Sequence, residues 1–280
     1  MTSKSKEDIR FAPIGVFDSG FGGLTVVKEI ARHLPHENLI FFGDSDRCPY
    51  GPRHPDQVEE FSVEICDWLV SLGCKLVVIA CNTATAAGLA ACQRAFDIPV
   101  IGVVMSGARA AVEATHSRKV GVIATQGTIS SGVYVRAIES LDSGIKVLSL
   151  ATPELVDLIE HELVDETLER LDVRQALVMD AIAPLMGCDI DTLVLGCTHF
   201  PLLKDEIAAC MTDDVVLVSS AEECAHEVRE ILTRRQELYE GPELGKLTFV
   251  TSGKDIELRN RIASRIMGFD IEDVQYKSFD

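Results

Sequence analysis

The sequence predicts an α/β fold of two pseudo-symmetric lobes, each with a largely parallel sheet flanked by helices, facing one cleft. Three observations carry this. Short apolar runs alternate with longer amphipathic stretches along the chain, the pattern of buried strands joined by covering helices. The halves also resemble each other. Ile14-Gly-Val-Phe-Asp-Ser-Gly-Phe-Gly-Gly is similar to Val120-Gly-Val-Ile-Ala-Thr-Gln-Gly-Thr-Ile, and Leu76-Val-Val-Ile-Ala-Cys-Asn-Thr to Thr192-Leu-Val-Leu-Gly-Cys-Thr-His. Third, each half ends an apolar run in a cysteine followed by polar residues, where open α/β sheets bind ligands.

The elements follow in order. Residues 14–17 and 39–42 are strand-length apolar runs, with a helical pattern over 24–33 between them. A helix is expected over 56–72, a buried strand over 76–80 leading to Cys81, a helix over 84–94 and a strand over 100–104. The second half continues with helix 107–115, strands 120–123 and 146–150, and helices 153–160 and 173–186. Strand 192–195 leads to Cys197, followed by helix 202–210 and strand 215–218. Helix 221–232, strand 247–250 and helix 255–267 close the pattern, and no low-complexity linker interrupts it.

With 280 residues and 47% hydrophobic content, the chain can bury a substantial core. Its net charge of −18 argues against nucleic-acid or anionic-membrane partners, because both are polyanionic. An anionic small substrate stays admissible, since a local site can oppose the global charge. No apolar run approaches the roughly 20 residues that span a bilayer. The polar start, up to Pro13, has no secretory apolar region, and its shortness predicts that no large N-terminal regulatory segment is present. A cytoplasmic protein with reduced thiols is therefore expected. Nine cysteines without a C-x-x-C pair give neither a disulfide framework nor a zinc knuckle, so most should be small buried hydrophobes.

Cys81 and Cys197 are the exceptions to test. Each stands before a helix, whose free N–H groups favour a thiolate. Paired thiols on opposite sides of a cleft can remove a proton from one face of a carbon and return one to the other. Thiols suit this because their pKa of about 8.5 can be drawn toward neutrality. His199 is placed to accept a proton from Cys197 or to stabilise its thiolate. Asp18 and Ser19 follow the first strand, as a proton partner and a hydrogen-bond donor or as turn and cap residues. Pro49-Tyr50-Gly51-Pro52 reads as a rigid loop whose backbone N–H groups could hold a carboxylate.

Other chemistries lack their patterns. Gly20-Phe21-Gly22-Gly23 does not have dinucleotide-binding spacing, and no Walker A or G-x-[SC]-x-G sequence occurs. His161-Glu162-Leu163-Val164-Asp165 ends in Asp where a zinc helix needs His. No cofactor and no metal are expected.

These blocks, with Gly43-Asp-Ser, Pro99-Val-Ile-Gly-Val-Val, Ala124-Thr through Thr128-Ile and Leu195-Gly-Cys-Thr-His-Phe-Pro-Leu-Leu, run in order from about residue 13 to 225. Together they resemble glutamate racemases, of the aspartate/glutamate racemase family. The resemblance implies cofactor-independent conversion of L-glutamate to D-glutamate for peptidoglycan synthesis. It implies a first lobe of residues 1–104 plus 218–280 and a second of 105–217. Cys81 would take the α-proton of D-glutamate, assisted by Asp18. Cys197 would take that of L-glutamate, assisted by His199 with Glu160 nearby. Asp18, Ser19, Tyr50, Gly51, Asn82, Thr83, Thr198 and His199 would hold the amino acid.

Two departures stand out. Met105-Ser106 replaces the family's usual Glu-Pro near the lobe junction, which puts the rigidity of a loop there in question. Cys48 is an additional thiol beside Pro49. A homodimer is compatible with the sequence, which names no surface for it. An aspartate racemase is the alternative within the class, and a non-catalytic two-lobed amino-acid binding protein the alternative outside it.

Overall fold

The computed structural model describes residues 9–165 and 171–279. Strands β1 (Ile14–Asp18), β2 (Leu39–Gly43), β3 (Leu76–Ile79), β4 (Val100–Gly102), β9 (Leu247–Thr251) and β10 (Gln275–Tyr276) form one parallel sheet in the order β10-β9-β2-β1-β3-β4. Strands β5 (Lys119–Ala124), β6 (Lys146–Ala151), β7 (Thr192–Gly196) and β8 (Val216–Ser219) form a second, in the order β6-β5-β7-β8. That order repeats β2-β1-β3-β4 of the first sheet. The register repeats too: Gly15 pairs with Ile40 and Val77, and Gly121 with Leu148 and Leu193. The weak sequence repeat is thus a repeat of topology. Cys81 and Cys197 occupy equivalent places, just beyond β3 and β7.

Helices α1 (Leu24–His33), α2 (Pro55–Ser71), α3 (Asn82–Ala95) and α11 (Ile256–Met267) cover the first sheet. Helices α4 (Val103–Ala114), α6 (Val133–Leu141), α7 (Pro153–Asp165), α8 (Leu171–Ile182) and α9 (Lys204–Cys210) cover the second. Separate apolar layers, such as Val16, Val27 and Leu76 on one face and Phe17, Ile65 and Val77 on the other, fill both sides of the first sheet. This two-sided burial is why the strands are apolar runs with no alternation. Helix α10 (Ser220–Arg235) packs on both α1 and α4 and so joins the two halves.

Some boundaries differ from the sequence reading. The apolar run 100–104 is strand only to Gly102; Val103 and Val104 are the buried first turn of α4. A continuous apolar run cannot by itself separate a strand from a buried helix. Met105 and Ser106 therefore lie in a helix and not in a loop. Ser106 donates to Glu227 of α10 at 3.0 Å, and Arg109 pairs with the same carboxylate at 3.0 Å. Helix α5 (Gln126–Ser131) and α6 were not anticipated. Gly132, at φ +64°, turns the chain between them, so neither alone shows a long helical period. The helix expected over 202–210 begins as a 3-10 turn at Phe200–Leu203. β10 is a short edge strand that the sequence reading missed.

Candidate active site

The carboxyl ends of β1, β3, β5 and β7 converge on one narrow cavity. Ser19, Tyr50, Gly51, Cys81, Asn82, Thr83, Glu160, Cys197, Thr198 and His199 line it. Every expected site residue is among these except Asp18, which sits directly behind, fully buried.

Cys81 is the N-cap of α3, and its Sγ accepts from the Ala84 N–H at 3.4 Å. The Ser19 hydroxyl lies 3.7 Å from the same sulfur. The helix end acts as expected, yet it does not win. Burial and the nearby Asp18 charge push the Cys81 thiol up to about 12, against the pull of Ala84 and Ser19. The expectation of a pKa drawn toward neutrality fails at Cys81 for this reason.

Asp18 makes no hydrogen bond to Cys81. Its carboxylate accepts from the Gly20 and Gly23 N–H groups at 3.2 and 3.0 Å, and from Thr198 Oγ1 at 3.4 Å. Burial raises its pKa; the nearby His199 ring and these donors oppose the rise.

Cys197 lies before a 3-10 turn and not at an α-helix end, so the helix argument does not apply to it. Its partner is His199, with Sγ and Nδ1 3.6 Å apart. His199 Nε2 lies 3.3 Å from Glu160 Oε1. Burial alone would lower the His199 pKa, but Cys197 and Glu160 outweigh it and hold the ring well above its usual value. Glu160 is held below the usual carboxylate range because His199 overcomes the effect of burial. The two thiols thus have different company: a buried carboxylate and a hydroxyl at one, an imidazole paired with Glu160 at the other.

The remaining residues offer neutral donors. Asn82 accepts from Tyr134 at 2.8 Å, and its Nδ2 is buried without a partner. Thr83 joins Thr125 and Thr128 across the cavity wall at 2.9 and 3.2 Å. Gly51 presses against this wall: a Cβ on Gly127 would lie 2.7 Å from the Gly51 carbonyl oxygen. The Tyr50 hydroxyl is committed to Asp44, which also accepts from Ser252 at 2.8 Å. Tyr50 therefore shapes the wall, and the Cys48–Pro49 peptide before it is cis. Among the described residues, no lysine or arginine lines the cavity.

Thr125, Val156 and Cys48 also line the site and were not singled out as its members. Thr125 had a signal, since it directly follows β5 as Ser19 directly follows β1. Cys48 donates to Glu160 at 3.4 Å. Among the described residues, the group able to hold a metal ion is His33, Glu222 and His226. It lies between α1 and α10 and includes no residue of the cavity. Cys66, Cys74, Cys92 and Cys224 are core residues, as expected for most of the thiols.

A family model described as Asp/Glu/Hydantoin racemase matches residues 14–228. The chain belongs to this family. A glutamate racemase of Bacillus cereus is 44% identical over 94% of this chain and 96% of its own length. The crystal structure of glutamate racemase isoform RacE1 from Bacillus anthracis superposes with a TM-score of 0.89 at 43% identity, covering 97% of this chain and 98% of that one. That of the Francisella tularensis enzyme in complex with D-glutamate gives 0.87 at 29% identity, over 97% and 99%. The family places this chain among amino-acid racemases acting on a small molecule. Among the described residues, no helix is long and apolar enough to cross a membrane.

Proposed function

We propose that this protein interconverts L- and D-glutamate without a cofactor, with Cys81 and Cys197 as the two bases. The observation that carries the reading is the placement of both thiols, from topologically equivalent strand ends, on one cavity. Relatives named glutamate racemase at 44% identity support the substrate.

In this reading Cys81 takes the α-proton of D-glutamate and Cys197 that of L-glutamate. One sulfur begins as thiolate and the other as thiol, and the pair is inverted at the end. Removing the α-proton leaves negative charge on the carboxylate, which aimed donors must stabilise. The unpartnered Asn82 amide and the hydroxyls of Ser19, Thr83 and Thr198 are suited to this. A narrow cavity strengthens them by excluding water. His199 accepts or returns the Cys197 proton, oriented by Glu160. Asp18 holds the Gly20–Gly23 turn and sets the electrostatics at Cys81.

The lobes 1–104 plus 218–280 and 105–217 belong to the same reading. So do cytoplasmic supply of D-glutamate for peptidoglycan and a homodimer, which light scattering measures. The test of the function is incubation of either enantiomer in D2O. Rapid α-deuteration with loss of optical activity is expected, and no exchange in cofactor-free buffer sinks the proposal. Turnover of aspartate under the same conditions distinguishes the related substrate.

A further inference from the structure

A second cavity lies directly outside the thiol site. Phe21, Leu163 and Arg259 line it, together with Cys48, Glu160 and His199. The last three also line the inner cavity, so they form the partition between the two spaces. The partition bridges the two sheets' elements: Cys48 follows β2, Glu160 belongs to α7, and they meet at 3.4 Å. The outer cavity lies on the open side of the partition, where Glu160 keeps 39% of its side chain exposed.

Among the described residues, Arg259 is the one lysine or arginine lining either cavity. Its guanidinium lies 5.8 Å from the centre of the Phe21 ring. Gly253 makes room for it, since a Cβ there would come within 2.7 Å of Arg259 Nε. That Nε is buried without a hydrogen-bond partner. Glu160 feels the guanidinium's charge, yet its own ion pair is with His199. On a chain with 44 acidic residues, an arginine held in a cavity wall with no carboxylate partner among the described residues is poised for an anion brought from outside.

We infer that the outer cavity is a receiving station for a carboxylate of the incoming acidic amino acid, held by Arg259 at the mouth of the thiol cavity. The inference rests on the racemase reading, which makes the ligand an anion. The inner cavity meets that anion with neutral donors, and the protein as a whole repels it at −18. A local cation at the mouth offsets this repulsion and raises the rate of productive encounter.

The experiment compares the wild-type protein with Arg259→Met in steady-state racemisation of each enantiomer of glutamate over a range of NaCl concentrations. The variant should lose about tenfold in kcat/KM, mostly through KM, with kcat changed by less than about twofold. With the cation removed only the repulsive background remains, so kcat/KM of the variant should rise as salt screens it, whereas that of the wild type, with attraction at the mouth, should not. Arg259→Lys should keep most of the wild-type salt response. Should Arg259→Met fail to fold, Arg259→Gln carries the same comparison. An active wild type matched by the variant in kcat/KM and salt response overturns the receiving station alone. A wild type without racemisation overturns the functional reading and this inference with it.

Discussion

At Cys81 the local and the tertiary environments oppose each other. The α3 N-terminus favours a thiolate, and burial with Asp18 nearby favours the thiol. Burial prevails, so the thiolate becomes more abundant as pH rises. The rate from D-glutamate should therefore climb with pH toward the raised value of about 12. Replacing Asp18 by Asn removes one cause of the rise while keeping the side chain's size. The climbing limb of kcat/KM for D-glutamate should then move to lower pH, and kcat should fall. A limb that stays in place means that Cys81 does not feel the Asp18 charge. Cys81→Ala and Cys197→Ala should each lower racemisation by at least about 10³-fold, because neither partner set can stand in for a missing sulfur. Polarimetry on each variant, with circular dichroism as a folding control, measures this.

At the level of elements, the turn before α1 is fitted against the opposite half. A Cβ on Gly22 would lie 2.6 Å from Thr198 Oγ1 and 2.8 Å from the His199 ring. Gly22→Ala should displace both residues and lower kcat by about 10- to 100-fold, with little change in melting temperature. A comparable clip holds the turn after α4. Asp191 accepts from Thr115 Oγ1 at 2.6 Å and from the His116 and Ser117 N–H groups at 2.7 and 2.5 Å. Partial burial opposes ionisation, but these donors outweigh it and hold the carboxyl well below its usual range. A depressed folded-state value adds stability above the unfolded value of 3.8, and this is lost as pH falls through the folded value. Asp191→Asn should cost about 1.5 kcal/mol at neutral pH. The difference from wild type should shrink below about pH 4, as urea titrations at several pH values would report.

On the scale of the molecule, two kinds of junction organise the chain. Helix α10, with Glu227 bound to Ser106 and Arg109, ties the halves together. Away from the cavity, Lys75 and Glu37 form a buried ion pair at 2.6 Å, with each side chain 1% exposed. Lys75 also donates to the Arg10 and Glu237 carbonyls, and Glu37 accepts from the Tyr239 N–H. The pair thus fastens the chain's beginning and the segment before β9 to the first sheet. Burial pushes both groups toward neutrality, raising the Glu37 pKa and lowering that of Lys75. Lys75→Met leaves a buried carboxylate and should cost about 3–5 kcal/mol, whereas adding Glu37→Leu should recover much of it. Chemical denaturation of both variants tests this, and racemisation by the folded fraction should be unchanged.

The sequence by itself determined nine of the ten strands described, the repeat and the two thiols. Buried parallel strands must be apolar on both faces, and chemistry-bearing residues collect where such runs stop. Asp18, Cys81 and Cys197 each stand at one of those stops, and so are legible without coordinates. What only the tertiary structure decided is which groups meet across the cavity. Glu160 and His199 are distant in sequence from Cys48, yet all three form one partition. The start of α4, hidden in a continuous apolar run, was settled by packing and not by periodicity. The Cys81 pKa was decided in the same way. A helix end is a local signal that the sequence carries, while burial beside a carboxylate from another strand exists only once the sheet has formed.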